Sequence, residues 1–292
     1  MTVRGALHTR ARQLGRSAAT SFGQLTAGHR AMPDFLLVGA QRCGTTSLFR
    51  ALLGHPHVLR ANFLKGVNYF DVHADQAPEW YRAHFPLTST ARRRAAPGQD
   101  HGLVFEASGY YMFHPHAPAR IMQALPEVKI VAMVRDPVER AFSAYKHEFA
   151  RGFETEPLER ALALEDERVA PELARMLADP HYQSDVYRHQ AYRRRGHYAE
   201  QLQVFTDGLG QGRVHVVQSE LFFTEPEQEY TRLLDFLELP TVMPDSFDRY
   251  NPRPSAPLDA SVAALLREHF APHDAALETF LSAQPSWRRP SG

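Results

Sequence analysis

Asp34-Phe-Leu-Leu-Val-Gly-Ala-Gln-Arg-Cys-Gly-Thr-Thr-Ser-Leu-Phe49 decides how this chain is read. The apolar run Phe35–Val38 predicts a buried strand. A tight turn bounded by Gly39 and Gly44 follows. A helix start rich in hydroxyls comes next (Thr45, Thr46, Ser47), with Leu48 and Leu52 at helical spacing. Strand, glycine turn and helix in that order make an anion cradle. The first N–H groups of a helix have no partner inside it, and its amino end is electropositive. The pattern is close to a phosphate-binding loop but departs from G-x-x-x-x-G-K-[ST], because Thr45 stands where the lysine belongs. A positive charge sits earlier, at Arg42. The loop is therefore expected to hold a phosphate-like group other than the β- and γ-phosphates of ATP.

The same logic recurs at Lys129-Ile-Val-Ala-Met-Val-Arg-Asp-Pro-Val-Glu-Arg-Ala-Phe-Ser-Ala-Tyr145. The strand ends at Arg135, Asp136 is a good helix cap, and Pro137 suits the first helical position. Arg135 thus falls at the carboxyl end of a strand, where open α/β sheets bind ligands. Ser143 lies two turns into the helix, on a face shared with residues 139, 142 and 146. An arginine and a hydroxyl so placed suit a second phosphate. The competing reading pairs Arg135 with Asp136 or Glu139 and treats Ser143 as a small packed residue.

Around these motifs strands and helices alternate, which predicts a P-loop-like three-layer α/β/α fold with a mostly parallel central sheet. Strands are expected at 35–38, 103–106, 129–134 and 214–218. Helices are expected at 46–53, 78–85, 118–125, 137–151, 198–205, 227–237 and 258–280, the last broken near Pro272. Thr88–His101 reads as a polar loop. Residues 154–195 are charged, helical in pattern and without a strand, so they form a helical insertion, either an acceptor lid or a solvated cover. One domain is expected over 34–285, with a tail at 286–292. Residues 1–33 carry five arginines and no acid, so they read as a basic, solvated arm or a transit segment.

Composition narrows the function classes. In 292 residues, 33 basic side chains balance 33 acidic ones, so no global field attracts nucleic acid. The single cysteine, Cys43, cannot form an intrachain disulfide, which favours a reducing, cytoplasmic setting. No apolar run is long enough to predict a transmembrane helix. His55-Pro-His57 and His114-Pro-His116 read as turn residues rather than metal ligands, and no metal is expected.

Taken together, the two motifs resemble those of the sulfotransferases that use 3′-phosphoadenosine 5′-phosphosulfate. Gly39-Ala-Gln-Arg-Cys-Gly-Thr-Thr-Ser-Leu48 looks like that family's 5′-phosphosulfate loop. Val134-Arg-Asp-Pro-Val-Glu-Arg-Ala-Phe-Ser-Ala-Tyr145 looks like its 3′-phosphate motif, with the matching gap from Arg135 to Ser143. The likeness continues in Leu64-Lys-Gly-Val-Asn-Tyr-Phe-Asp71, Phe105–Pro115, Arg195–Leu202 and Tyr250-Asn-Pro-Arg-Pro254. It is similar to the bacterial and heparan-type members rather than the cytosolic phenol-type ones. The resemblance implies a carbohydrate or small-molecule acceptor and no required metal. It implies that Gly44, Thr45 and Thr46, with Cys43 in the same loop, hold the 5′-phosphate. Arg42 stands where many members carry a lysine and neutralises the leaving group, Arg135 and Ser143 hold the 3′-phosphate, and Arg253 adds a contact.

Two departures from the family pattern affect the chemistry. The heparan-type enzymes take their base from a Lys-Glu pair; here Lys65 is present but Gly66 follows it, with Asn68 two positions on from Gly66 where a histidine could serve. A second family lysine is Ala107. The base candidates in this chain are Glu106, His114 and Asp71, with Glu106 placed first because it ends a strand on the ligand side. Its other reading is a structural carboxylate. Two further functions compete: a catalytically silent nucleotide binder of the same fold, and a P-loop kinase. Aromatic and basic residues at Tyr110, Tyr111, Tyr187, Tyr192 and Arg193–Arg195 line an acceptor cleft or simply pack.

Overall fold

The structure, a computed structural model, describes residues 20–250 and 257–289. Five strands form one sheet: β1 (Phe35–Gly39), β2 (Val58–Arg60), β3 (Leu103–Glu106), β4 (Lys129–Val134) and β5 (Val214–Gln218). Their order is β2-β3-β1-β4-β5, and every neighbouring pair is parallel. In β1 the residues Phe35, Leu36, Leu37 and Val38 are all fully buried. Successive strand residues face opposite sides of a sheet, so both faces are covered, and a continuous apolar run is what such a strand requires.

The covering helices are α1 (Thr45–Gly54), α2 (Pro78–Arg82), α3 (Thr88–Arg92), α4 (Ala117–Ala124), α5 (Pro137–Arg151), α6 (Leu158–Ala178), α7 (Asp185–His189), α8 (Tyr198–Leu209), α9 (Ser219–Thr224), α10 (Pro226–Phe236) and α11 (Ala260–Leu281). Four strands fall where the apolar runs put them. The fifth, β2, is three residues long and half exposed, too short for a period to show; it exists because Val58–Arg60 pairs with Leu103–Phe105. The polar stretch expected as a loop contains α3. The last helix does not break at Pro272 but runs through it. Proline lacks an N–H and so costs that helix one backbone bond, while Leu266, Phe270 and Leu277 keep it docked by burial.

Residues 20–33, expected within a solvated arm, pack on the domain. Arg30 is buried, donating to the Phe85 carbonyl at 2.6 Å and to Thr26 Oγ1 at 2.9 Å. The helical insertion appears as α6 and α7 and builds a small core of its own with Tyr110, Val169, Met176 and Tyr187. Tyr110, Tyr111, Tyr187, Tyr192 and Arg195 are all buried, so this aromatic group packs rather than lining an open surface. Among the described residues no helix is long and apolar enough to cross a membrane.

The strand order fixes where a ligand can sit. After β1 the chain moves toward the β2–β3 side of the sheet; after β4 it moves to β5 on the other side. The carboxyl ends of β1 and β4 are therefore adjacent, with their outgoing connections parting in opposite directions. That parting leaves a crevice. The turn at 40–44 leaves β1 at this point, and Arg135 and Asp136 leave β4 beside it. The amide of Ala40 donates to the Met133 carbonyl at 2.7 Å, tying the two exits together.

Candidate active site

The turn after β1 ends at Gly44, whose φ of 93° places it in the left-handed region that glycine adopts without strain. A Cβ there would come within 3.2 Å of Phe223 and 3.3 Å of Met133. This close approach brings the first turn of α1 up to the crevice. On the other side, Asp136 caps α5 by accepting the Val138 N–H at 2.9 Å, and its own N–H donates to Glu220 at 3.0 Å. The Tyr198 hydroxyl donates to the Arg135 carbonyl at 2.9 Å. The backbone at Arg135 is thus held from two sides independently of its side chain.

One cleft of about 970 Å³ is lined by Arg42, Cys43, Gly44, Thr45 and Thr46 from the first motif and by Arg135 and Ser143 from the second. That is the upper range for sites that take a nucleotide-sized molecule. The two motifs touch: Arg42 Nε donates to Ser143 Oγ at 3.1 Å. Arg42 itself has a φ of 72°, a conformation that costs a non-glycine residue about 1–2 kcal/mol. Arg135 pairs loosely with Glu139, one helical turn on, at 3.3 Å. Sequence reasoning passed over Phe223, Arg249 and Trp287, which also line the cleft. Trp287 lies in the segment read as a tail. Arg249 stacks over Phe223 at 4.3 Å. Arg253 lies outside the described residues, as do 1–19.

Cys43 is fully buried, and burial pushes its thiol up to about 11. The pull of the helix end is outweighed, so the thiol does not ionise near neutrality. Its sulfur meets the Tyr198 hydroxyl at 3.6 Å.

Lys65 comes to the same helix end from behind. Its Nζ donates to Thr45 Oγ1 at 3.1 Å and to Thr46 Oγ1 at 3.2 Å, and burial lowers it to about 8. The strand that ends at Glu106 holds this lysine in place. The Ala107 N–H donates to the Lys65 carbonyl, the Val67 N–H donates to the Glu106 carboxylate, and the Asn68 N–H donates to Ser108 Oγ. Glu106 also accepts the hydroxyls of Tyr81, Tyr111 and Ser108 at 2.8–2.9 Å. It is fully buried, and burial holds its carboxyl above the usual range against the pull of those donors.

The other two base candidates are also enclosed. Asp71 is fully buried and accepts from the Val72 N–H and from Asn68. His114 is buried, and burial and Arg120 push it down to about 3. A group that far below neutrality binds protons too weakly to take one from an acceptor.

Gly66 has a structural reason to be glycine. A Cβ built on it would lie 2.5 Å from both the Ala107 carbonyl oxygen and Ser108 Oγ. The segment 65–68 runs so close to 106–108 that no side chain fits between them. Gly66→Ala is therefore expected to cost about 2 kcal/mol of stability and to displace Lys65. Thermal unfolding together with the ionisation of Lys65, followed by nuclear magnetic resonance of its ε-methylene group, checks this. A variant with unchanged stability and an unchanged Lys65 signal contradicts the close approach.

A parallel α/β sheet whose switch point brings the two strand–turn–helix motifs to one cleft is the architecture of a ligand-binding α/β domain. The Sulfotransferase domain model matches residues 32–252, and the chain belongs to that family. It is 30% identical to a sulfotransferase from Alicyclobacillus acidocaldarius whose crystal structure superposes with a TM-score of 0.65, covering 89% of this chain and 100% of that one. It is 32% identical over 127 residues to the bifunctional heparan sulfate N-deacetylase/N-sulfotransferase 4 of Mus musculus, covering 40% of this chain and 13% of that protein. It is 25% identical over 234 residues to the bifunctional heparan sulfate N-deacetylase/N-sulfotransferase 1 of Caenorhabditis elegans, covering 76% of this chain and 24% of that one. The chain thus spans a quarter or less of the length of these two curated relatives.

Proposed function

We propose that the chain moves a sulfuryl group from 3′-phosphoadenosine 5′-phosphosulfate to an amine or hydroxyl of a carbohydrate or small-molecule acceptor. The observation that carries this reading is the Arg42–Ser143 contact, which joins the two anion motifs in one cleft. On this reading the amides at Gly44, Thr45 and Thr46 hold the 5′-phosphate. Arg135 and the hydroxyl of Ser143 hold the 3′-phosphate, and the aromatic rings of Phe223 and Trp287 line the same cleft. In the transfer the S–O bond to the leaving phosphate breaks as a bond forms from sulfur to the acceptor nitrogen or oxygen. Arg42 neutralises charge as it grows on the bridging oxygen. Arginine stays protonated near neutrality, so this role is electrostatic.

The acceptor's proton needs a base. Glu106 is saturated by its four donors, and its part is to position the Lys65 segment. Lys65, held near 8, exchanges between ammonium and amine close to neutrality and reaches the first-turn hydroxyls; it suits both steadying the sulfuryl oxygens and taking the proton. The names of the heparan sulfate N-sulfotransferase relatives favour an amino sugar among acceptors.

Incubation of the whole chain with donor labelled in the sulfuryl group tests the proposal, with amino-sugar oligosaccharides, glycolipids and phenols as acceptors. Label is expected on a sugar amine or hydroxyl. Failure to bind adenosine 3′,5′-bisphosphate in calorimetry overturns the proposal. Because Gly66 excludes the usual glutamate, a second reading has a specific basis: a nucleotide binder without transfer. Binding of the nucleotide with no labelled product across the panel selects that reading instead.

A further inference from the structure

His197, His269 and His273 come together on the side of α8 and α11, although 72 residues separate the first two in sequence. One ring nitrogen of each lies within 4.8 Å of those of the others. His197 Nε2 is 2.9 Å from His269 Nε2, and the His197 and His273 rings stack at 3.6 Å with 8° between their planes. A carboxylate stands beside them: Glu200 Oε1 is 3.3 Å from His273 Nδ1 and 3.6 Å from His197 Nδ1.

We propose that this cluster is a site for a late first-row divalent cation of the zinc type, bound by His197, His269 and His273, with water completing the coordination. Three imidazoles with a water in the fourth position are a donor set that suits four-coordinate zinc, while Glu200, on the Nδ1 side of His197 and His273, is placed to accept from the ring N–H left over. His269 and His273 are four apart on one helix, the spacing that puts two imidazoles on one face. The third ligand is placed by packing: a Cβ at Gly196 would lie 2.6 Å from the Phe270 ring, so the backbone at 196–197 already rests on α11. Two cations stand near the cluster, and each is paired with carboxylates: Arg193 with Glu165 and Asp166, and Arg194 with Asp166.

A metal lies in the plane of each imidazole it binds, so ligation turns His273 out of its stack on His197. His273 is partly exposed. The bound ion pins the start of α8 to α11. The next residue, Tyr198, holds the Arg135 carbonyl and reaches Cys43, so the site braces the wall of the cleft without entering the chemistry.

The whole chain, carrying no histidine tag and stripped with a chelator, is titrated with zinc by calorimetry and with cobalt(II) by visible absorption. One equivalent is expected, with the strong visible bands of tetrahedral cobalt and a rise in Tm of about 5 °C at saturating zinc that a chelator reverses. His273→Ala and His269→Ala are each expected to weaken zinc about 100-fold or more and to abolish the cobalt bands. Alanine suits both helical positions, so folding is expected to survive and circular dichroism confirms it. Uptake unchanged in the His269→Ala, His273→Ala double variant places the ion on other histidines and overturns the site. So does an unsubstituted chain that shows no stoichiometric uptake. Neither readout needs the nucleotide or an acceptor, so the result stands apart from the transfer reaction.

Discussion

Arg42→Gly is expected to lower turnover by about 10²–10³-fold, or roughly 2.7–4 kcal/mol of transition-state stabilisation, while leaving the fold intact. The choice of glycine makes the test clean. Arg42 has a φ of 72°, which glycine adopts without cost, so the substitution removes backbone strain as it removes the guanidinium. The gain is offset by the freedom glycine adds to the unfolded chain, and Tm is expected to move by only a few degrees. Two roles for Arg42 are thereby separated. If the side chain mainly ties α1 to α5 through Ser143, its loss lowers Tm and changes turnover little in the molecules that stay folded. If it neutralises the leaving phosphate, turnover collapses and Tm holds. Arg42→Lys keeps the charge but strains the turn as before, and it is expected to recover most of the rate. Turnover with labelled donor, beside thermal unfolding of the same samples, decides between the two. A strained backbone under a charged side chain at the mouth of a cleft is the arrangement expected where position matters more than local stability.

The sequence was most legible where one local rule had nothing to compete with. Phe35–Val38, Leu103–Glu106, Lys129–Val134 and Val214–Gln218 are continuous apolar or β-branched runs bounded by turn residues, and a doubly covered parallel sheet asks for that pattern. The two strand–turn–helix motifs were legible for the same reason, since each is a strand end, a turn and a helix start in one contiguous stretch. Tertiary context decided the rest. β2 owes its existence to a partner 45 residues away, and α11 passes Pro272 because its buried face outweighs one lost backbone bond. The place of Glu106 at a strand end marked it as a possible base, but its donors come from Val67, Tyr81 and Tyr111, and no local pattern records that convergence. Trp287 and the three-histidine cluster were missed because each depends on α11 returning to the sheet. Gly66 is the reverse case. The departure from the family pattern was visible in sequence, while its cause, the backbone of Ala107 pressed against it, was not.

Arg135→Ala is expected to weaken adenosine 3′,5′-bisphosphate by about 100-fold and adenosine 5′-monophosphate by less than about threefold, as follows from losing charge-assisted bonds to one phosphate only. The fold does not depend on this side chain. Tyr198 holds the Arg135 carbonyl, Glu220 holds the next amide, and Asp136 caps α5, all through groups that the substitution leaves in place. The partner now facing Arg135 is a weak competitor. Glu139 sits 3.3 Å away and is 52% exposed, so water screens the pair, and a doubly charged phosphate displaces it readily. Removing Arg135 also leaves Glu139 with Lys146 as its nearby cation, so part of its repulsion adds to the loss for the 3′-phosphorylated ligand alone. Ser143→Ala is expected to be milder, about fivefold, since it removes one neutral donor and the oxygen that accepts from Arg42. Calorimetric titration of both nucleotides into each variant, repeated at two salt concentrations, measures the discrimination. The selective term shrinks as salt rises, because the site opens to solvent. Equal weakening of the two nucleotides by Arg135→Ala removes the arginine from the 3′-phosphate, and with it the argument that a single bisphosphorylated ligand spans both motifs.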